Sequence, residues 1–117
     1  MGRRASPHEP LSPELVEMVA ARFRILGEPI RIHLLQALRG GEKTVGELVA
    51  AVGSTQPNVS KHLRILQEAG IVGRRQDGNS VYCRIADPTV FALCATVCGS
   101  IRDRVSATAR LVGVKRR

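Results

Sequence analysis

The sequence predicts a mainly α-helical domain with one small β-hairpin. Three observations carry that expectation. Apolar residues recur at helical spacing in several separate stretches, most of them opened by a capping residue or a proline. One stretch only, residues 71–85, alternates around a turn signal, Asp77-Gly78. The length of 117 residues allows one domain with a modest core.

Residues 1–11 carry two prolines and no periodicity, and read as a disordered arm. A domain over residues 12–110 and a basic tail over 111–117 follow. Ser12-Pro13-Glu14 opens the first helix: Ser caps, Pro suits the first turn, and Glu complements the dipole. Leu15, Val16, Val19, Phe23 and Leu26 form its stripe. Gly27-Glu28-Pro29 separates it from a second helix with Ile30, Leu34, Leu35 and Leu38, which stops at Gly40-Gly41. Thr44 caps a short third helix, with Glu47 three residues on as a capping box, and Gly53 ends it. Ser54 or Thr55 caps the fourth helix. Pro57 lies in its first turn, Val59, Leu63 and Leu66 make a narrow apolar face, and Gly70 is the stop. Strands over Ile71–Gln76 and Asn79–Ile85 flank Asp77-Gly78, a favoured two-residue hairpin turn. Asp87-Pro88 starts the last helix. Its broad apolar face holds Val90, Phe91, Leu93, Cys94, Val97, Ile101 and Val105. Two short helices joined by a Gly-containing turn and followed by a hairpin form the winged helix-turn-helix order.

The charge is unevenly placed. Eighteen Lys and Arg against ten Asp and Glu give a net +8. Acids and bases balance over residues 12–53. They balance again over 85–109, where Asp87 and Asp103 meet Arg102 and Arg104. Between them, Lys61, Arg64, Arg74, Arg75 and Arg84 face only Glu68 and Asp77. The excess inside the domain therefore falls on the fourth helix and the hairpin, which points to an acidic partner. With no Trp, one Tyr and two Phe, the chain lacks stacking platforms for single strands. No apolar run approaches a membrane span and no secretory leader is evident. Three cysteines, an odd number, argue against a disulfide framework, so a reducing cytoplasm with free thiols is expected.

A helix that reads DNA needs an apolar face to hold it and a polar, acid-poor N-terminal half. Residues 55–64 meet both conditions. Gln56 and Asn58 suit bidentate contacts to adenine, and Lys61 and Arg64 suit guanine or phosphate. Ser60 and His62 suit base edges or phosphate oxygens, and the helix start at Thr55 offers free backbone N–H groups. In the hairpin, Arg74, Arg75 and the Gly78-Asn79 tip make a wing that reaches an adjacent minor groove.

The run Leu26-Gly27-Glu28-Pro29-Ile30-Arg31-Ile32-His33-Leu34-Leu35 resembles the bacterial ArsR/SmtB family. So do Ser60-Lys61-His62-Leu63-Arg64-Ile65-Leu66-Gln67-Glu68-Ala69-Gly70-Ile71-Val72 and Arg74-Arg75-Gln76-Asp77-Gly78-Asn79-Ser80-Val81-Tyr82. The similarity spans residues 12–105. The resemblance implies a homodimeric repressor that joins through its first and last helices, binds duplex operator DNA and is released by an inducer.

Two sensory sites common in the family are absent. The short helix reads Thr44-Val45-Gly46-Glu47-Leu48-Val49, without cysteine, and residues 87–110 hold Asp87 and Asp103 but no His. Cys94 and Cys98 remain, four apart on one helix face. They suit a soft metal or metalloid, and the resemblance makes As(III) the sharpest candidate inducer. A third thiolate would come from Cys83 (the weaker candidate), the partner subunit or a small thiol. Four thiolates across a dimer would suit zinc or cadmium instead. Apolar packing of the thiols, and oxidant or persulfide sensing, stand as alternatives. No phosphate loop, nucleophile elbow or carboxylate pair suggests an enzyme. The other competing class is a winged-helix module for protein contact, which Gln56, Asn58, Ser60 and Lys61 argue against.

Overall fold

The computed structural model describes residues 9–111. The expected basic tail beyond Leu111 and most of the expected arm lie outside the described residues. The chain divides into two compact units, one ending at Ile85 and one beginning at Ala86.

The first unit holds four helices and a small sheet: α1 (Pro13–Leu26), α2 (Pro29–Leu38), β1 (Lys43–Thr44), α3 (Val45–Val52), α4 (Gln56–Glu68), β2 (Val72–Asp77) and β3 (Ser80–Ile85). The second holds α5 (Thr89–Leu111). The local signals act as the sequence suggests. Ser12 Oγ accepts from the Leu15 amide. Thr44 and Glu47 exchange side chain for backbone in a complete capping box. Gly53 closes α3 in the left-handed conformation at φ 64°, where a Cβ is strained. Between the two candidate caps of α4 the structure selects Thr55, whose Oγ1 accepts from the Asn58 amide.

Leu34, Leu35, Leu38, Leu48, Val59, Leu63, Leu66, Ile71, Val72 and Cys83 are buried. They come from α2, α3, α4, the sheet and, for Ile71, the link from α4 into β2, so the core lies where those elements converge. The apolar stripe expected on α1 behaves differently. Leu26 is buried, while Leu15, Val16, Met18 and Phe23 are exposed. In α5, Val90 is buried and Val97, Ile101 and Val105 are exposed.

Two expectations about the hairpin change. The sheet has three strands, ordered β1-β3-β2 and antiparallel. The short β1 pairs Lys43 with Cys83 and Thr44 with Tyr82. The turn is also shifted by one residue. Asp77 pairs with Ser80, so the loop is Gly78-Asn79 rather than Asp77-Gly78. Gly78 takes φ 60° and, among the described residues, no non-glycine residue has positive φ, the pattern of a turn with glycine first.

Candidate nucleic-acid interface

Burial of one face holds α4 in place. Val59, Leu63 and Leu66 are at most 2% exposed. The opposite face presents Gln56, Ser60, Lys61 and Arg64 to solvent. Thr55 is also exposed, at the helix start. Asn58 is half-buried, and its Nδ2 donates to Ser54 Oγ at 2.9 Å. A bidentate contact from Asn58 to adenine requires that bond to break, so Gln56 is the freer amide.

His62 does not join this outward set. Its side chain is buried, at 8% relative exposure, and its Nδ1 accepts from Arg31 Nε at 3.0 Å. This corrects the expectation that His62 reads bases or phosphates. The reason is helical geometry: His62 follows Val59 by three and precedes Leu66 by four, and so lies on the inward stripe. Burial, then Arg31 and Lys61, push the imidazole below its ordinary value of 6.5, with Glu28 opposing. The neutral ring with a bare Nδ1 is the form that Arg31 needs. Arg31 Nη1 donates in turn to the Ile25 carbonyl at 3.0 Å. One guanidinium on α2 thus links the last turn of α1 to the inner face of α4.

The wing is built on a different principle. Arg74 and Arg75 are neighbours in β2 and project from opposite faces. Arg74 lines an open cleft of about 270 Å³, together with Gln56, Ser60, Arg64 and Gln67 of α4 and Val81 of β3. Arg75 faces the other way. Its Nε and Nη2 grip Glu42, with Nε–Oε2 and Nη2–Oε1 both at 2.9 Å. Its guanidinium carbon lies 4.5 Å from the centroid of the Tyr82 ring, and Asp77 is 3.7 Å from Nη1. The hydrogen bonds from Arg75 hold the Glu42 carboxyl below the usual carboxylate range, and Glu42 raises the Arg75 guanidinium in return. Arg75 is therefore a brace for the wing more than a free cation. The tip residue Asn79 is exposed.

Sequence reasoning missed three parts of this arrangement: Arg31, Glu42 and the brace through Tyr82. Each depends on a contact between residues more than thirty positions apart or across a strand pair.

The thiols sit in two settings. Cys83 is fully buried in β3. Burial pushes its thiol up, while Arg74 and a hydrogen bond with Gln67 partly offset this. A raised thiol disfavours the thiolate that binds metal. On α5, Cys94 is half-buried and Cys98 exposed. Among the described residues no group of three or more His, Cys, Asp or Glu is placed to hold a metal ion. No helix there is long and apolar enough to cross a membrane.

Comparison with known proteins fits this geometry. Residues 28–73 match the family described as bacterial regulatory protein, arsR family. A probable mercury resistance operon repressor of Streptomyces lividans is 40% identical over 77 residues, which span 66% of this chain and 62% of that protein. The uncharacterised HTH-type transcriptional regulator Rv0081 of Mycobacterium tuberculosis is 38% identical over 85 residues, 72% of this chain and 75% of its own length. Its crystal structure superposes with a TM-score of 0.75 over 84% of this chain and 99% of that chain, at 33% identity. The homodimeric winged helix-turn-helix DNA-binding domain Mb0332 of Mycobacterium bovis gives a TM-score of 0.64 at 29% identity, over 89% of this chain and 91% of that one. With its winged helix-turn-helix fold and outward polar helix, the chain belongs to the arsR family of bacterial regulatory proteins, which are transcriptional regulators and not enzymes.

Proposed function

We propose that the chain is a homodimeric repressor that binds an operator through α4 and the wing and leaves it when a thiophilic ion binds. The carrying observation is the two-sided character of α4. A fully packed inner face fixes the helix, and Gln56, Ser60, Lys61 and Arg64 project from the other side beside Arg74. Lys61, Arg64 and Arg74 supply phosphate affinity. Gln56 supplies base discrimination, with Asn58 contributing once released from Ser54.

Support for a dimer comes from the exposed apolar residues of α1 and of α5. α1 is charge-balanced, with Glu14 and Glu17 against Arg22 and Arg24, and the basic excess of α5 is small, with Arg102, Arg104 and Arg110 against Asp103. A two-fold partner would cover such apolar residues. The similar Mb0332 domain is homodimeric. For the inducer, Cys94 and Cys98 stand four apart on α5 with Cys98 open to solvent. Two thiolates suit a soft ion, and a similar protein is described as a mercury resistance operon repressor. As(III), which takes three thiolates, would need one more from the partner subunit or a small thiol. Ligand and DNA then oppose one another by linkage: an ion that prefers the free dimer weakens DNA binding by the same factor.

The test is selection of binding sites from a random duplex pool. The expected product is an inverted repeat whose half-sites lie roughly one helical turn apart, about 10–10.5 bp. Recovery of no shared sequence would refute operator recognition. The selected complex is then titrated with arsenite, mercuric ion, cadmium and peroxide. The Cys94→Ser/Cys98→Ser variant is expected to stay bound throughout. A variant that responds like the parent chain removes every thiol reading, and release by peroxide alone makes the pair an oxidant sensor.

A further inference from the structure

His62 is the only polar or charged residue on the buried face among the described residues. A core position on this stripe, between Val59 and Leu66, would ordinarily be filled by an aliphatic side chain. An imidazole there has to justify its desolvation by a partner, and the partner is Arg31. That pairing is unusual in sign, because the guanidinium is always a cation. The contact therefore exists only while the ring is neutral and Nδ1 carries a lone pair. A proton on Nδ1 would remove the acceptor and set two positive charges at the present 3.0 Å separation.

Charges facing the ring come from several elements. Arg31 and Glu28 belong to α2 and its N-cap, and Lys61 to α4 itself. Of the charges on the other elements packed on α4, Glu47 in α3 is held by Thr44, Arg75 in β2 by Glu42 with Asp77 beside it, and Arg74 in β2 lines the cleft with Gln56, Ser60 and Arg64. Two cations against one acid leave the ring in a net positive surround.

We propose that His62 is a positioning residue for the recognition helix: its neutral ring locks α4 through Arg31 to the end of α1, and protonation opens the lock and weakens operator binding. The inference rests on the reading of α4 as the DNA-reading helix. His62 lies in the turn that carries Ser60, Lys61 and Arg64 outward, so repulsion from Arg31 displaces the DNA-facing side chains together. The same guanidinium also donates to the Ile25 carbonyl, so α1 feels the change. Generic electrostatics predicts the opposite trend, since added positive charge tightens DNA binding.

The sign of the stability effect follows from linkage. A histidine whose folded value lies below 6.5 stabilises the fold fully above 6.5. That contribution is lost as pH falls through the folded value.

The first experiment uses the free, full-length protein. The ring nitrogens of His62 are followed by NMR from about pH 8 to about pH 5, the range in which histidine changes charge, alongside hydrogen exchange of the α4 amides. A ring that stays neutral throughout overturns the switch. The expected result is faster exchange in α4 in the same step as ring protonation. A ring that titrates while α4 protection stays constant overturns the lock. The second experiment measures affinity for the selected duplex over the same range at fixed ionic strength. Affinity is expected to fall by about tenfold or more, one pKa unit of linkage corresponding to a factor of ten. An affinity that is flat or rises on acidification overturns the switch. His62→Asn keeps an acceptor near the Nδ1 position and cannot be protonated, and it is expected to bind tightly with no fall. His33→Asn, at an exposed position of α2, should behave like the parent chain. If no duplex is selected at about pH 8, the repressor reading fails, and the exchange experiment still decides the lock.

Discussion

The recognition helix and the wing are both basic, yet they are held by opposite means. The helix is held from behind. Val59, Leu63 and Leu66 are buried, and its cations Lys61 and Arg64 are left exposed. The wing is buried only at its base, through Val72 and Cys83, and its outer part is braced from its own surface, by Arg75 gripping Glu42 and covering Tyr82. Helix placement thus depends on apolar burial, which salt hardly touches. The outer part of the wing adds an exposed ion pair to its buried base, and salt screens that ion pair. The number of cations in a segment is therefore a poor guide to how many are available to DNA. One wing arginine faces the cleft and its neighbour is structural.

The difference can be broken from the helix side first. Leu66→Ala removes a fully buried side chain, and a loss of about 2–5 kcal/mol is expected in urea unfolding. DNA binding should fall with it for every sequence. Retention of stability would mean that α4 is not held by its inner face. Smaller effects separate the outward residues. Lys61→Ala should weaken selected and random duplexes alike. It should also flatten the salt dependence by about 0.9 for every phosphate that the dimer no longer neutralises. Gln56→Ala should relax base preference by about 1–3 kcal/mol while leaving the salt slope intact. If both variants change only the salt slope, the division between base and phosphate contacts is wrong.

The smallest effect belongs to the brace. Glu42→Gln should leave global unfolding almost unchanged, because exposed ion pairs contribute little. It should speed hydrogen exchange in β2 and β3 and free Arg75. If wing exchange is unaltered, strand pairing alone holds the hairpin. Acid should reveal the same order. Glu42 titrates below its ordinary 4.5 because Arg75 stabilises the carboxylate. Its contribution is present above 4.5 and lost as pH falls through the lowered value. The His62 contribution begins to go below 6.5. On acidification, protection in α4 should therefore weaken before protection in the wing. The reverse order in a pH series of hydrogen exchange would contradict both assignments.

What the sequence made legible was local. The Thr44/Glu47 box and the glycine stops at Gly53 and Gly70 are each set within a few residues, and the structure carries them as expected, while of Ser54 and Thr55 it takes Thr55 as the α4 cap. The winged helix-turn-helix order follows from these. Contacts between distant residues were not legible. Strand β1 is two residues long, too short for alternation to show, and exists because β3 offers an edge. The hairpin register slipped by one because Asp77-Gly78 and Gly78-Asn79 are both acceptable turns, and only pairing of Asp77 with Ser80 decides between them. His62 did carry a signal. Positions 59, 62, 63 and 66 form one helical stripe, and the polar identity of His62 masked its place in it. Nothing near Arg75 in sequence marks Glu42 as its partner.

The brace also gives the molecule an optical label. The chain has no Trp and a single Tyr, and that residue, Tyr82, lies beneath the Arg75 guanidinium. Near-ultraviolet absorption and emission from tyrosine in this protein therefore originate at one point in the wing. Undocking of Arg75, by salt, acid or DNA, changes the polarity around that one ring. The motion of the wing is thus readable in the unmodified protein, free of signal from the recognition helix.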